Sequence, residues 1–144
     1  RIFLKGDKLM NIALIAHDDK KELMIQFCIA YSGILSKHKL CATGSTGKQV
    51  AEATGLNIVQ YFVGAAGGCQ QISSKISCNE IDLLLFFRDP IHRRASEPDE
   101  RDILRLCDVY NVPVATNIAT AEALVMALSR GDLDWRENYR TGLA

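Results

Sequence analysis

Ile81-Asp82-Leu83-Leu84-Leu85-Phe86-Phe87 is apolar at every position except Asp82. A strand with one wet face would alternate apolar and polar residues. This one does not, so it reads as a strand covered on both faces, at the centre of a parallel sheet. Polar residues bound it, with Asn79-Glu80 before and Arg88-Asp89-Pro90 after.

Working outward, four more runs read as strands: Asn11 to Ala16, Lys39 to Ala42, Ile58 to Val63 and Val112 to Thr116. Helical patterns separate them. Lys20 to Tyr31 places Leu23, Met24, Phe27 and Cys28 on one face, and Lys48 to Thr54 stops at Gly55. Further helices are expected over Cys69 to Cys78, Asp99 to Tyr110 and Thr120 to Leu128, and a polar tail runs from Ser129 to Ala144. Strict alternation with short connections predicts an α/β fold: three layers, α/β/α, around a five-stranded parallel sheet. The chain reads as one domain over 1–144, with its core at about 10–128.

Composition bounds the partners. The chain has 144 residues, 48% of them hydrophobic, with 17 basic and 17 acidic side chains. A net charge of zero argues against nucleic acid or an anionic membrane as the main partner. No apolar run is long enough to span a bilayer, and the charged stretch Arg1 to Lys8 does not read as a secretory signal. Five scattered cysteines without a C-x-x-C pair read as reduced thiols of a cytoplasmic protein.

In a parallel sheet, ligands bind beyond the carboxyl ends of the strands, so the residues after each strand hold the chemistry. They are His17-Asp18-Asp19-Lys20-Lys21, Thr43-Gly44-Ser45-Thr46-Gly47, Gly64-Ala65-Ala66-Gly67-Gly68-Cys69, Arg88-Asp89-Pro90 and Thr116-Asn117. Thr43 to Gly47 is the sharpest element. Read as a loop before a helix, it offers three hydroxyls, two glycines and a helix N-terminus to an anion. One hydroxyl would suffice for an N-cap. It is not a Walker A loop, so no nucleotide is implied. The glycines from Gly64 to Gly68 read equally as a second anion loop or as a tight turn. His17 beside Asp18 reads as a proton carrier or a structural histidine. Lys20 and Lys21 oppose the helix dipole, which suggests a phosphate for one of them. Asp89-Pro90 reads as a turn former, and Trp135 as a subunit contact.

Taken together, the segments NIALIAHDDKK (Asn11 to Lys21), ATGSTG (Ala42 to Gly47), GGCQQI (Gly67 to Ile72), IDLLLFFRDP (Ile81 to Pro90), LRLCDVYNVPVATNIATAE (Leu104 to Glu122) and RGDLDWRE (Arg130 to Glu137) resemble the methylglyoxal synthase family. The resemblance covers most of the chain. It implies elimination of phosphate from dihydroxyacetone phosphate to give methylglyoxal, with no metal or organic cofactor. The implied phosphate site is Lys21, Thr43, Gly44, Ser45, Thr46 and Gly64. The implied catalytic positions are His17, Cys69 and Asp99. A homo-hexamer is implied, with inorganic phosphate as product or ligand. A phosphate contact from Arg136 or Arg140 is also implied.

Two departures stand out. The family's aspartate base is Cys69 here, and a family histidine is Ser96. A helix N-terminus is expected to lower the thiol of Cys69 from ~8.5 toward neutrality. The competing reading is a catalytically impaired phosphate-ligand-binding or regulatory domain. A receiver domain is excluded, because the third strand ends in glycine and alanine rather than an acceptor aspartate.

Overall fold

The computed structural model describes residues 8–61, 68–92 and 100–140. In chain order they form β1 (Asn11–Ala16), a single 3-10 turn (Asp18–Lys20), α1 (Lys21–Ala30), α2 (Ser32–Leu35), β2 (Lys39–Thr43), α3 (Gly44–Thr54) and β3 (Ile58–Tyr61). Then follow α4 (Gly68–Ser77), β4 (Leu83–Phe87), α5 (Glu100–Val109), β5 (Val114–Ala115), α6 (Ile118–Arg130) and α7 (Arg136–Arg140). The five strands make one parallel sheet in the order β3-β2-β1-β4-β5. The α/β/α expectation therefore holds.

The apolar runs of β1 and β4 divide by pleat, as a doubly covered sheet requires. Ile12, Leu14, Leu83, Leu85 and Phe87 join Met24 and Phe27 of α1, Val50 of α3, and Val125 and Leu128 of α6. Ala13, Ile15, Leu84 and Phe86 face the other way, onto Ile72 and Ile76 of α4 and Ile103 and Cys107 of α5. One sheet face thus carries α1, α3 and α6, and the other carries α4 and α5. The change of side occurs between β1 and β4, the two strands paired at the centre.

Element ends differ from the sequence expectation in places that have physical reasons. The helix after β2 begins at Gly44 rather than Lys48, so the segment read as a loop is its first turn. The fifth strand is only Val114–Ala115. Pro113 lacks an N–H and joins the ladder only through its carbonyl, which accepts from Leu84 N at 3.0 Å. The helix after β5, α6, is longer than expected, starting at Ile118, with Asn117 Oδ1 accepting from Thr120 N at 3.0 Å as its N-cap. Gly55 and Gly131, at φ 74 and 85, end α3 and α6 in the left-handed region.

The amino-terminal edge of the sheet is closed by a buried ion pair. Asp82, just before β4, accepts from Asn11 N at 2.8 Å and from Arg136 Nε at 3.3 Å. Both charged side chains are fully buried. Arg136 also donates to the carbonyls of Asn111 and Ile81. It lies 5.2 Å from the ring of Trp135 and 5.3 Å from that of Tyr139. The segment read as a polar tail is therefore clamped against the sheet.

Nearby, His38 Nδ1 accepts from Met10 N at 3.1 Å. Burial holds this imidazole below its ordinary value of 6.5. The unfolded chain thus binds the His38 proton more readily, and stability falls as pH drops through and below about 6.5. Urea unfolding at pH 7.5 and 5.5 is expected to show the lower midpoint at 5.5. The His38→Asn variant, less stable at pH 7.5, is expected to show a smaller difference between the two pH values.

Candidate active site

Parallel strands place all their carboxyl ends on one edge, and the crevice forms where the helices change side. Here that point lies between β1 and β4. Their ends are stitched together: His17 N donates to Phe87 O at 3.0 Å, and Asp89 N donates to His17 Nδ1 at 2.8 Å. His17 is buried and meets Phe86 edge-on, with ring centroids 5.4 Å apart. Because Nδ1 accepts, the ring carries its proton on Nε2. The Asp89 carboxylate accepts from the backbone N–H groups of Ile91 and His92, at 2.9 and 3.0 Å. It forms the expected turn, and those donors, led by His92, hold its carboxyl below the usual range. The bond from Asp89 to His17 was not anticipated from the sequence, although both residues had been placed at strand ends.

Beside this crevice the starts of α1 and α3 converge. Lys21 Nζ lies 2.8 Å from Asp18 Oδ1 and 2.7 Å from Ser45 Oγ, so it bridges the two helices. Thr43 is extended (φ −62, ψ 149) and makes no side-chain cap. The amides of the first turn of α3 therefore gain nothing from a capping hydroxyl, and a helix start in that condition favours an anion. Thr46, in the same turn, is 1% exposed. Its hydroxyl has no hydrogen-bond partner among the described residues. A buried hydroxyl left so costs roughly 1–3 kcal/mol. Lys21, Thr43, Gly44, Ser45 and Thr46 are thus brought together.

Gly47 has a different role from the anion approach expected of it. A Cβ there would meet Gln60 Cγ at 3.0 Å and Ala42 Cβ at 3.2 Å. The glycine lets α3 lie close on β2 and β3.

Cys69, second residue of α4, is half-buried and packs against the core layer under that helix. The expected lowering of its thiol does not occur. Burial pushes it up to about 11, because desolvation disfavours the thiolate. Gly64, Ser96 and Asp99 lie outside the described residues. Of the two arginines considered for a phosphate contact, Arg136 is committed to Asp82 at the opposite edge of the sheet, and the side chain of Arg140 lies outside the described residues.

An open parallel sheet with a helix start beside its switch point defines a class, the small α/β domains that take their ligands at the carboxyl ends of the strands. The family model for the MGS-like domain matches residues 24–116. The chain is 62% identical over 128 residues to the methylglyoxal synthase of Caldicellulosiruptor saccharolyticus, covering 89% of this chain and 91% of that protein. It is 56% identical to the methylglyoxal synthase of Oceanobacillus iheyensis, with 89% and 91% covered. Its fold is similar to the crystal structure of methylglyoxal synthase from Elizabethkingia anophelis, with a TM-score of 0.80 at 38% identity over 81% of this chain and 77% of that one. The chain belongs to the methylglyoxal synthase family.

Proposed function

We propose that this chain is a lyase that converts dihydroxyacetone phosphate to methylglyoxal and inorganic phosphate. The observation that carries the reading is the first turn of α3, where the orphaned Thr46 hydroxyl and Lys21 await a phosphate. Membership of the family supports the reaction itself.

In the proposed reaction a base removes a proton from the carbon beside the carbonyl. The electron pair moves onto the carbonyl oxygen as an enediolate and is protonated there; the hydroxyl on the deprotonated carbon then loses its proton and becomes the aldehyde C=O, the C=C shifts to the phosphate-bearing carbon, and the C–O bond to phosphate breaks. The enol so formed tautomerises to methylglyoxal. His17, with its proton on Nε2, is suited to stabilise the enediolate oxygen by donation. Lys21, Gly44, Ser45 and Thr46 hold the phosphate, with Thr43 starting the turn; Gly64 is proposed to join them and Asp99 to take part in proton transfer. Cys69 stands where the family has its base. A thiol at about 11 is protonated at neutral pH, so turnover through it is slow there.

The five strands in one sheet support a single domain. Five unpaired cysteines support a reducing compartment such as the cytoplasm, and among the described residues no helix is long and apolar enough to cross a membrane. Trp135, 48% exposed, is a candidate contact in the proposed homo-hexamer.

The decisive experiment measures phosphate and methylglyoxal released from dihydroxyacetone phosphate by the purified protein from pH 7 to 10. Equimolar release supports the reading. Binding of phosphoglycolate with no release at any pH would make the chain a ligand-binding relative of the enzymes. Thr46→Ala is expected to weaken phosphoglycolate about tenfold or more, since a hydrogen bond to a charged group is lost. Calorimetry giving an unchanged affinity would remove Thr46 from the cradle.

A further inference from the structure

Consecutive backbone amides join the His38 imidazole to the Asp82–Arg136 pair at the amino-terminal edge of the sheet. Met10 N donates to His38 Nδ1 at 3.1 Å, and the next amide, Asn11 N, donates to Asp82 Oδ2 at 2.8 Å. The other oxygen of Asp82 accepts from Arg136 Nε at 3.3 Å. His38, Asp82 and Arg136 are all buried. The charged groups facing His38 are Lys37 beside it in the chain, Asp82 ahead of β4, and Asp134 in the turn that leads into α7. The strands β1, β2 and β4 are held to one another by the ladder of the sheet. Helix α7 lies outside that ladder. Its polar fastenings run through Arg136, which also donates to the carbonyls of Asn111 and Ile81, and through Glu137, paired with Lys8 at 2.6 Å.

This arrangement works only with a neutral imidazole. Nδ1 must offer its lone pair to Met10 N; once protonated, it is a donor facing a donor. The new charge would also be buried beside a carboxylate already committed to Arg136, so imidazolium and guanidinium would compete for Asp82. Asp134 offers a second carboxylate, but it belongs to the segment outside the ladder. Burial, with Lys37, opposes the charge more than the two carboxylates favour it, and holds the imidazole below its ordinary 6.5. By linkage, protonation favours an opening that returns His38 to water. Of the elements around His38, the segment from Asp134 into α7 is the one whose departure leaves the sheet paired. We propose that His38 is a pH-sensitive latch for α7. Neutral, it keeps Met10, Asn11 and Asp82 in the arrangement that grips Arg136; charged, it releases that grip, and α7 lifts away while the strands stay paired.

Trp135 is the sole tryptophan of the chain, and its ring lies 5.2 Å from the Arg136 guanidinium, so its fluorescence reads the latch directly. Titration of the full chain from pH 8 to 5 is expected to change that fluorescence with a midpoint below 6.5, before far-ultraviolet circular dichroism is lost. Amide exchange, corrected for the intrinsic rate at each pH, should rise about tenfold or more for Arg136 to Tyr139 at the acid end and stay unchanged in β1 and β4. His38→Asn keeps an acceptor for Met10 N but takes up no proton, so it should show neither change. Asp134→Asn removes a carboxylate that favours the charge, and should move the midpoint to lower pH. A transition that persists in His38→Asn, one that coincides with loss of circular dichroism, or none down to pH 5 overturns the latch. If His38→Asn does not fold, Asp134→Asn decides: a midpoint unmoved or raised overturns it. Turnover enters none of these readings, so the latch and the proposed reaction stand or fall separately.

Discussion

Replacing Cys69 by aspartate is expected to raise turnover of dihydroxyacetone phosphate at pH 7 by on the order of 100-fold. The thiol, pushed up to about 11, is ionised in only about one molecule in 10⁴ at that pH. An exposed aspartate is almost wholly ionised there, and a desolvated one would remain more available than this thiol unless its pKa rose by several units. The carboxylate also reaches further than a single sulfur, which matters where about 1 Å can cost ~100-fold. The pH dependence separates the two bases. If Cys69 is the base, the native chain should gain about tenfold in rate per pH unit from 7 toward 10, while Cys69→Asp should be nearly flat over that range. A Cys69→Asp variant no faster than the native chain, with phosphoglycolate still bound, would move the obstruction to Ser96 or to the shape of the pocket.

The second large effect is on stability. Asp82→Asn, or Arg136→Met, is expected to cost about 3–5 kcal/mol, because each leaves the other charge buried without its counterpart. Asn11 N, which donates to Asp82 at 2.8 Å, would suffer in the first case. The carbonyls of Asn111 and Ile81 would lose a donor in the second. Urea unfolding measures both. The double variant should cost much less than the sum of the singles, since removing both charges removes the mismatch. Additive losses would show that the pair does not interact.

Much of this architecture is legible in the order of residues, and the exceptions are instructive. β1 could be read because Asn11–Ala16 is a compact β-rich run that ends in the polar residues His17-Asp18-Asp19, and a central parallel strand needs such a run. The start of α3 could not. Gly-Ser-Thr-Gly has poor helix propensity, and the close seat of Gly47 over Ala42 and Gln60 is made only after folding, so it could not be read locally. Asp82 was visible as the one polar residue in the run Ile81 to Phe87. Its partner was not, because Arg136 lies 54 residues away in a stretch whose composition suggested a solvated tail. In the site, the hydroxyls of Thr43, Ser45 and Thr46 announced an anion by their density alone. The thiol of Cys69 was read in the wrong direction, since a helix start is visible in sequence and the desolvation opposing it is not. Lys20 and Lys21 were indistinguishable as letters; only the placement of α3 beside α1, which brings Ser45 to Lys21, tells them apart.

Gly47 carries a consequence beyond packing. Its missing side chain sets how deeply α3 seats on the sheet, and α3 delivers the amides and hydroxyls of its own first turn to the rim. A single added methyl would meet Gln60 Cγ at 3.0 Å and Ala42 Cβ at 3.2 Å; where α3 gives way rather than the Gln60 side chain, Gly44, Ser45 and Thr46 move with it. His17, anchored to β4 through Asp89, would stay behind. The spacing between the proposed phosphate cradle and His17 is thus tied to one absent carbon atom, three residues inside a helix.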